Sequence, residues 1–159
     1  MAAAAGRGTL LNSRKKLSVV WRASFPWQSR YETATLAIDW QTGDRAVTTR
    51  LEHAGGLGPL YAMRARGRAT VELLDVGDDG DDARTIAAFD AAITPGTRLV
   101  SLSHVAWTTG AILPIAEIAE IAHARGALVV IDGAQAAGAI PVRFDDLDVD
   151  FYALPAQKW

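Results

Sequence analysis

Two charged residues, Asp132 and Lys158, each follow an apolar run and are of types that could do chemistry together. Asp132 sits within Leu128-Val-Val-Ile-Asp-Gly-Ala-Gln-Ala, where four aliphatic residues deliver a carboxylate to the end of a strand. Gly133 there permits a tight turn, and Gln135 follows three residues after Asp132. A carboxylate so placed is costly unless it meets a cation or hydrogen-bond donors. A protonated pyridine nitrogen is one such partner, because an aspartate facing it keeps the ring an electron sink. An aspartate that merely caps the following turn is the other reading of the same motif. Lys158 lies just past the apolar strand of Asp148-Val-Asp-Phe-Tyr-Ala-Leu-Pro-Ala-Gln-Lys-Trp. A lysine at such a strand end can form a Schiff base with an aldehyde, helped by desolvation that lowers its pKa. Taken alone it reads as a solvated surface charge, and only its pairing with Asp132 favours chemistry.

The elements that must position these groups are regular from about residue 44 onward. Apolar, β-branched runs at Ala46–Thr49, Ala69–Val76, Arg98–Leu102, Leu128–Ile131 and Phe151–Leu154 predict strands. Between them Pro59–Arg66, Ala83–Ala92 and Pro114–Ala124 predict helices. In the last of these, Ile115, Ile118, Ala119 and Ala122 share one face, and Pro114 suits the first turn. Glu117 and Glu120 lie early, His123 and Arg125 late, as the helix dipole favours, and Gly126 supplies a C-cap. Strands alternating with helices predict an α/β fold with a mostly parallel sheet covered on both faces. Ligands of such sheets gather at the carboxyl ends of the strands.

Composition bounds the function classes. The chain has 159 residues, half of them hydrophobic, enough for one domain with a real core. A net charge of −2 advertises neither nucleic acid nor an anionic membrane as partner. There is no cysteine, which excludes disulfides, thiolate metal sites and a cysteine nucleophile from these residues. No apolar run approaches the ~20 residues of a membrane-spanning helix. The expected location is cytoplasmic. Residues 1–31 hold six basic and no acidic side chains, namely Arg7, Arg14, Lys15, Lys16, Arg22 and Arg30. Such a segment resembles an organelle transit peptide, but it shows no clean amphipathic period. Residues 1–35 are therefore expected to be a basic irregular leader, whose Trp21, Phe25 and Trp27 could still pack, and residues 36–159 the domain.

Ser103-His-Val, Gly110, Pro114 with the helix after it, Val130-Ile-Asp-Gly-Ala-Gln, Asp150-Phe-Tyr and Gln157-Lys-Trp together resemble the class V aminotransferase family. Gly43-Asp-Arg-Ala-Val-Thr-Thr-Arg-Leu-Glu-His matches the family's preceding block. That family of pyridoxal 5'-phosphate (PLP) enzymes includes cysteine desulfurases, selenocysteine lyases and isopenicillin N epimerase-like enzymes. The resemblance covers about residues 36–159 and implies a three-layer α/β/α fold, part of the large domain of the type I PLP-dependent transferases. It implies that Lys158 carries the cofactor and serves as general base and acid at the substrate Cα. Asp132 would pair with the pyridinium nitrogen, Gln135 would bond near the phenolic oxygen, and His53 would stack on the ring. His104 would brace the strand end. An amino-acid substrate and a homodimer of the full-length protein are implied as partners.

The sequence also departs from the family. Trp107 stands where desulfurases have an asparagine, which leans toward the epimerase-like branch. Pro155 replaces a phosphate-binding serine with a residue lacking hydroxyl and backbone donor, and Gln157 replaces the histidine before the lysine. The Thr-rich phosphate-binding turn is not recognisable, Tyr31-Glu-Thr-Ala-Thr being its nearest relic. The family's chains are longer, and the expected substrate-binding arginine and desulfurase cysteine loop would follow Trp159. A fragment with weak or no activity is thus expected, with a non-catalytic remnant as the alternative.

Two further segments carry weaker signals. Asp75-Val-Gly-Asp-Asp-Gly-Asp-Asp fails the EF-hand pattern, since Gly77 and Ile86 fall at ligand positions, and reads as a solvated loop. Glu52-His-Ala-Gly-Gly-Leu-Gly is glycine-rich after a strand but lacks the dinucleotide order, leaving a nucleotide-binding oxidoreductase as a remote reading. No G-x-S-x-G elbow or Walker sequence occurs.

Overall fold

The computed structural model describes residues 27–154 and Lys158, with side chains from Tyr31 onward. Ten elements follow one another: α1 (Trp27–Leu36), β1 (Asp44–Thr49), α2 (Ala54–Ala65), β2 (Ala69–Leu74), α3 (Asp82–Ala92), β3 (Thr97–Ser103), α4 (Ile115–Ala124), β4 (Leu128–Asp132), α5 (Phe144–Leu147) and β5 (Phe151–Ala153). The five strands form one parallel sheet in the order β2-β1-β3-β4-β5.

Alternation along the strands builds two cores, one on each side of the sheet. Ala46, Leu99 and Val130 point to one face, where they meet Tyr31 of α1 and Leu60 and Met63 of α2. Val47, Val100, Val129 and Ile131 point to the other, against Phe89 of α3 and Ile118, Ala119 and Ala122 of α4. Both faces being covered, the central strands read as continuous aliphatic runs, not as an apolar–polar alternation. The result is the expected three-layer α/β/α arrangement with a parallel sheet.

The structure alters three expectations about elements. The irregular leader does not extend to residue 35: Trp27–Leu36 is helical, and Tyr31 and Thr35 are fully buried. Burial against α2 and the sheet holds this helix, which shows little amphipathic period of its own. Trp21 and Phe25 lie outside the described residues. Helix α2 begins at Ala54, well before Pro59, so the glycine-rich segment is its first turn. His53 makes this possible as the N-cap, its Nδ1 accepting from the Gly55 N–H at 3.0 Å. Pro114 precedes the first turn of α4 as its N-cap residue.

The acidic loop before α3 uses its carboxylates locally. Asp81 Oδ1 accepts from the Arg84 N–H at 3.0 Å and caps the helix, while Asp79 pairs with the Arg84 guanidinium. Among the described residues no helix is long and apolar enough to cross a membrane.

Candidate active site

The chain leaves β1 toward β2 on one side of the sheet and resumes with β3 on the other, so β1 and β3 flank a switch point. In open parallel sheets a crevice forms there, outside the carboxyl ends of the strands. A cleft of about 340 Å³ occupies this position. His53 after β1, Ser103, Val105 and Trp107 from β3 and the segment after it, Asp132, Ala134 and Gln135 from β4, and Lys158 after β5 line it. All four residues expected at the site, His53, Asp132, Gln135 and Lys158, thus meet at one cleft.

Asp132 is the last residue of β4 and is 4% exposed. It lies in register with Ser103 on one side and Ala153 on the other. Its Oδ1 accepts from the Ala134 N–H at 2.9 Å, so the turn-capping role is present. Among the described residues Oδ2 has no hydrogen-bond partner, and one carboxylate oxygen is left for a cation in the cleft. Burial pushes this carboxyl up to about 6, opposed by the Ala134 N–H and by the charges of His53 and Lys158.

Gly133 is required for a reason other than turn geometry. Its φ is not positive, but a Cβ there would lie 2.6 Å from the Tyr152 hydroxyl and closer still to the ring. That ring is held in turn: Tyr152 Oη lies 2.9 Å from His104 Nδ1, and Phe144 packs edge-on against it. His104 therefore stands beneath the strand ends, as expected of a bracing residue, and its burial lowers its pKa.

His53 is held by the Gly55 N–H and by Trp107. Its Nδ1 is the helix cap, which assigns the proton of the neutral ring to Nε2, and its ring meets Trp107 edge-to-face at 5.4 Å and 82°. Gln135 and Lys158 are exposed on the cleft. Pro155 and Gln157, read from the sequence as departures around the lysine, lie outside the described residues.

Sequence reasoning passed over one residue beneath the site. Glu52 is 6% exposed, with Thr49 Oγ1 2.6 Å from its Oε1 and Ser103 Oγ 2.7 Å from its Oε2. Its only signal was its place between two Thr-terminated strand residues and His53. Nearby, the buried Tyr31 phenol bonds Ser101 Oγ.

A doubly wound α/β domain with a buried carboxylate and an amine at its switch-point cleft is the architecture of the type I PLP-dependent enzymes. The chain belongs to the aminotransferase class-V family, whose model matches residues 11–159, and whose members are PLP-dependent enzymes. It is 36% identical over 119 residues to a probable cysteine desulfurase of Chlamydia muridarum, covering 75% of this chain and 29% of that protein. It is 48% identical over 79 residues to the isopenicillin N epimerase of Streptomyces clavuligerus, covering 50% of this chain and 20% of that one. Among solved structures, the cystine C–S lyase C-DES with its product cysteine persulfide superposes with a TM-score of 0.75 at 34% identity, covering 84% of this chain and 36% of that chain. A mutant of C-DES with glycine covalently linked to the PLP cofactor gives 0.74 at 34% identity, over 81% and 34% of the two chains. The chain therefore spans about a third or less of the length of these relatives.

Proposed function

We propose that this chain supplies the cofactor-holding part of a PLP-dependent enzyme acting on an amino acid, with Lys158 as the residue that carries the cofactor. The convergence of Asp132 and Lys158, from the ends of two neighbouring strands, on one cleft is the observation that supports this reading most. The lining residues fit the ring end of PLP: a buried carboxylate with one free oxygen, an amine, an imidazole and an amide border a space of about 340 Å³. They fit its phosphate less well, because Pro155 stands in the sequence where the family has a phosphate-binding serine.

When bound, PLP supplies an electron sink for charge developing at the substrate Cα. Asp132 would hold the proton on the ring nitrogen by offering its free carboxylate oxygen. Lys158 would anchor the group and move a proton at Cα. His53, oriented by the Gly55 N–H and by Trp107, would pack against the ring, and Gln135 would donate toward the phenolic oxygen. Trp107 lines the cleft beside His53 at the position where desulfurases have an asparagine, which favours the epimerase-like branch over the desulfurase-like one. A homodimer of the complete protein and a cytoplasmic location belong to the same reading.

Mixing the purified chain with PLP, reducing with borohydride and locating the label by mass spectrometry tests this directly. Label confined to Lys158, and lost in Lys158→Ala, is the expected result. Label scattered over surface lysines and unchanged in that variant would overturn the assignment.

A further inference from the structure

Glu52 immediately precedes the N-cap of α2 and is buried, with a hydroxyl against each carboxyl oxygen. Among the described residues no cation pairs with it. A second buried acid stands close by, since Asp132 on β4 is the register partner of Ser103 on β3. The groups that surround Glu52 are thus Thr49 of β1, Ser101 and Ser103 of β3, Asp132 of β4 and Tyr31 of α1, whose phenol bonds Ser101. The neighbouring His53 lines the cleft with Lys158.

We propose that Glu52 is a buried proton-bearing acid that leaves Asp132 as the single negative charge beneath the cleft, and so acts as a positioning residue. Two carboxyls in one low-dielectric layer do not both ionise near neutral pH, and the proton resides where charge is least supported. Asp132 has the Ala134 N–H at 2.9 Å, and His53 and Lys158 line the cleft with it. Glu52 has two hydroxyls and the Ser103 backbone N–H, all neutral, and no cation among the described residues. The direction of its titration agrees: burial pushes the Glu52 carboxyl above the usual range, against the bonds from the Thr49 and Ser103 hydroxyls and the Ser103 N–H, and Asp132 adds a smaller push upward. The functional consequence, one anionic charge facing a cationic ring, rests on the reading of Asp132 above. The protonation state itself is a property of the chain without cofactor and is tested without it.

The chain has five glutamates, Glu32, Glu52, Glu72, Glu117 and Glu120, so carboxyl-¹³C glutamate labelling resolves the question by NMR. With the cofactor-free chain, the resonance that is absent in Glu52→Gln should remain in its protonated form through the ordinary carboxylate range. Ionisation of that resonance within the ordinary carboxylate range would overturn the proposal. Thermal unfolding supplies a second readout. A folded-state pKa raised above the ordinary 4.5 means stability is fully present below that value and lost as pH rises through the folded value. Glu52→Gln lacks that loss, so its unfolding midpoint should climb by several degrees relative to the wild type as pH is raised from 4.5 toward 8. A difference that stays constant with pH, or reverses, would sink the idea. Should the variant not fold, the protonated resonance of the wild-type chain still decides.

Discussion

The Tyr152 ring fills the space that any side chain on Gly133 would need, with the Tyr152 hydroxyl 2.6 Å from where a Cβ would stand. The contact locks the end of β5 against the turn that follows Asp132, a link also made by the Gly133 N–H to the Ala153 carbonyl at 2.7 Å. Gly133→Ala should therefore cost about 3 kcal/mol by overpacking. That corresponds to a fall of roughly 6–12 °C in the unfolding midpoint, read by circular dichroism. Adding Tyr152→Ala should recover part of the loss, because the two residues are directly coupled.

Asp132 sets stability and binding against each other. Its folded pKa of about 6 exceeds the ordinary 3.8, so its stability contribution is complete below 3.8 and lost as pH rises to about 6. At pH 7.5 the cofactor-free Asp132→Asn chain should exceed the wild type by on the order of 2–3 kcal/mol, with little difference at low pH. The same variant should capture PLP more weakly. Equal loss of stability at every pH would argue for a hydrogen-bonding role alone.

Tyr31 tests whether α1 is integral to the domain. It is fully buried and bonded to Ser101. Tyr31→Phe should cost about 1 kcal/mol through the lost hydrogen bond, and Tyr31→Ala about 3–5 kcal/mol through the cavity. Denaturant titrations that show neither loss would mean that α1 is dispensable.

Trp107 is half exposed, at 51%, and touches His53. Trp107→Ala should change stability by no more than about 0.5 kcal/mol. It should nonetheless raise the dissociation constant for PLP, because His53 loses its edge-to-face contact with Trp107. Equilibrium titration of the two proteins by absorbance checks this, and unchanged affinity would remove Trp107 from the site.

The strand ends were readable because the local signals were strong. Leu128-Val-Val-Ile before Asp132 is apolar enough to be a doubly covered strand, and the structure extends it by one residue to include Asp132. Helix α4 was equally plain, with its single apolar face. Helix α2 was half missed because Gly55, Gly56 and Gly58 are poor helix formers and histidine is not a common N-cap. Helix α1 was missed because its stability comes from burial of Tyr31 and Thr35, not from a pattern in Trp27–Leu36.

By itself the sequence determined the alternation of strands and helices, the family, and the residue types able to hold a PLP-like group. Apolar period, glycine placement and motif order are local properties that survive without coordinates. The tertiary structure alone decided that His53 and Lys158 share a cleft with Asp132, because parallel pairing in the order β2-β1-β3-β4-β5 joins strand ends far apart in sequence. It alone decided that Gly133 answers to Tyr152. It also placed Glu52 beside Ser103, 51 positions away, where the cost of a buried carboxyl arises from neighbours that no local pattern names.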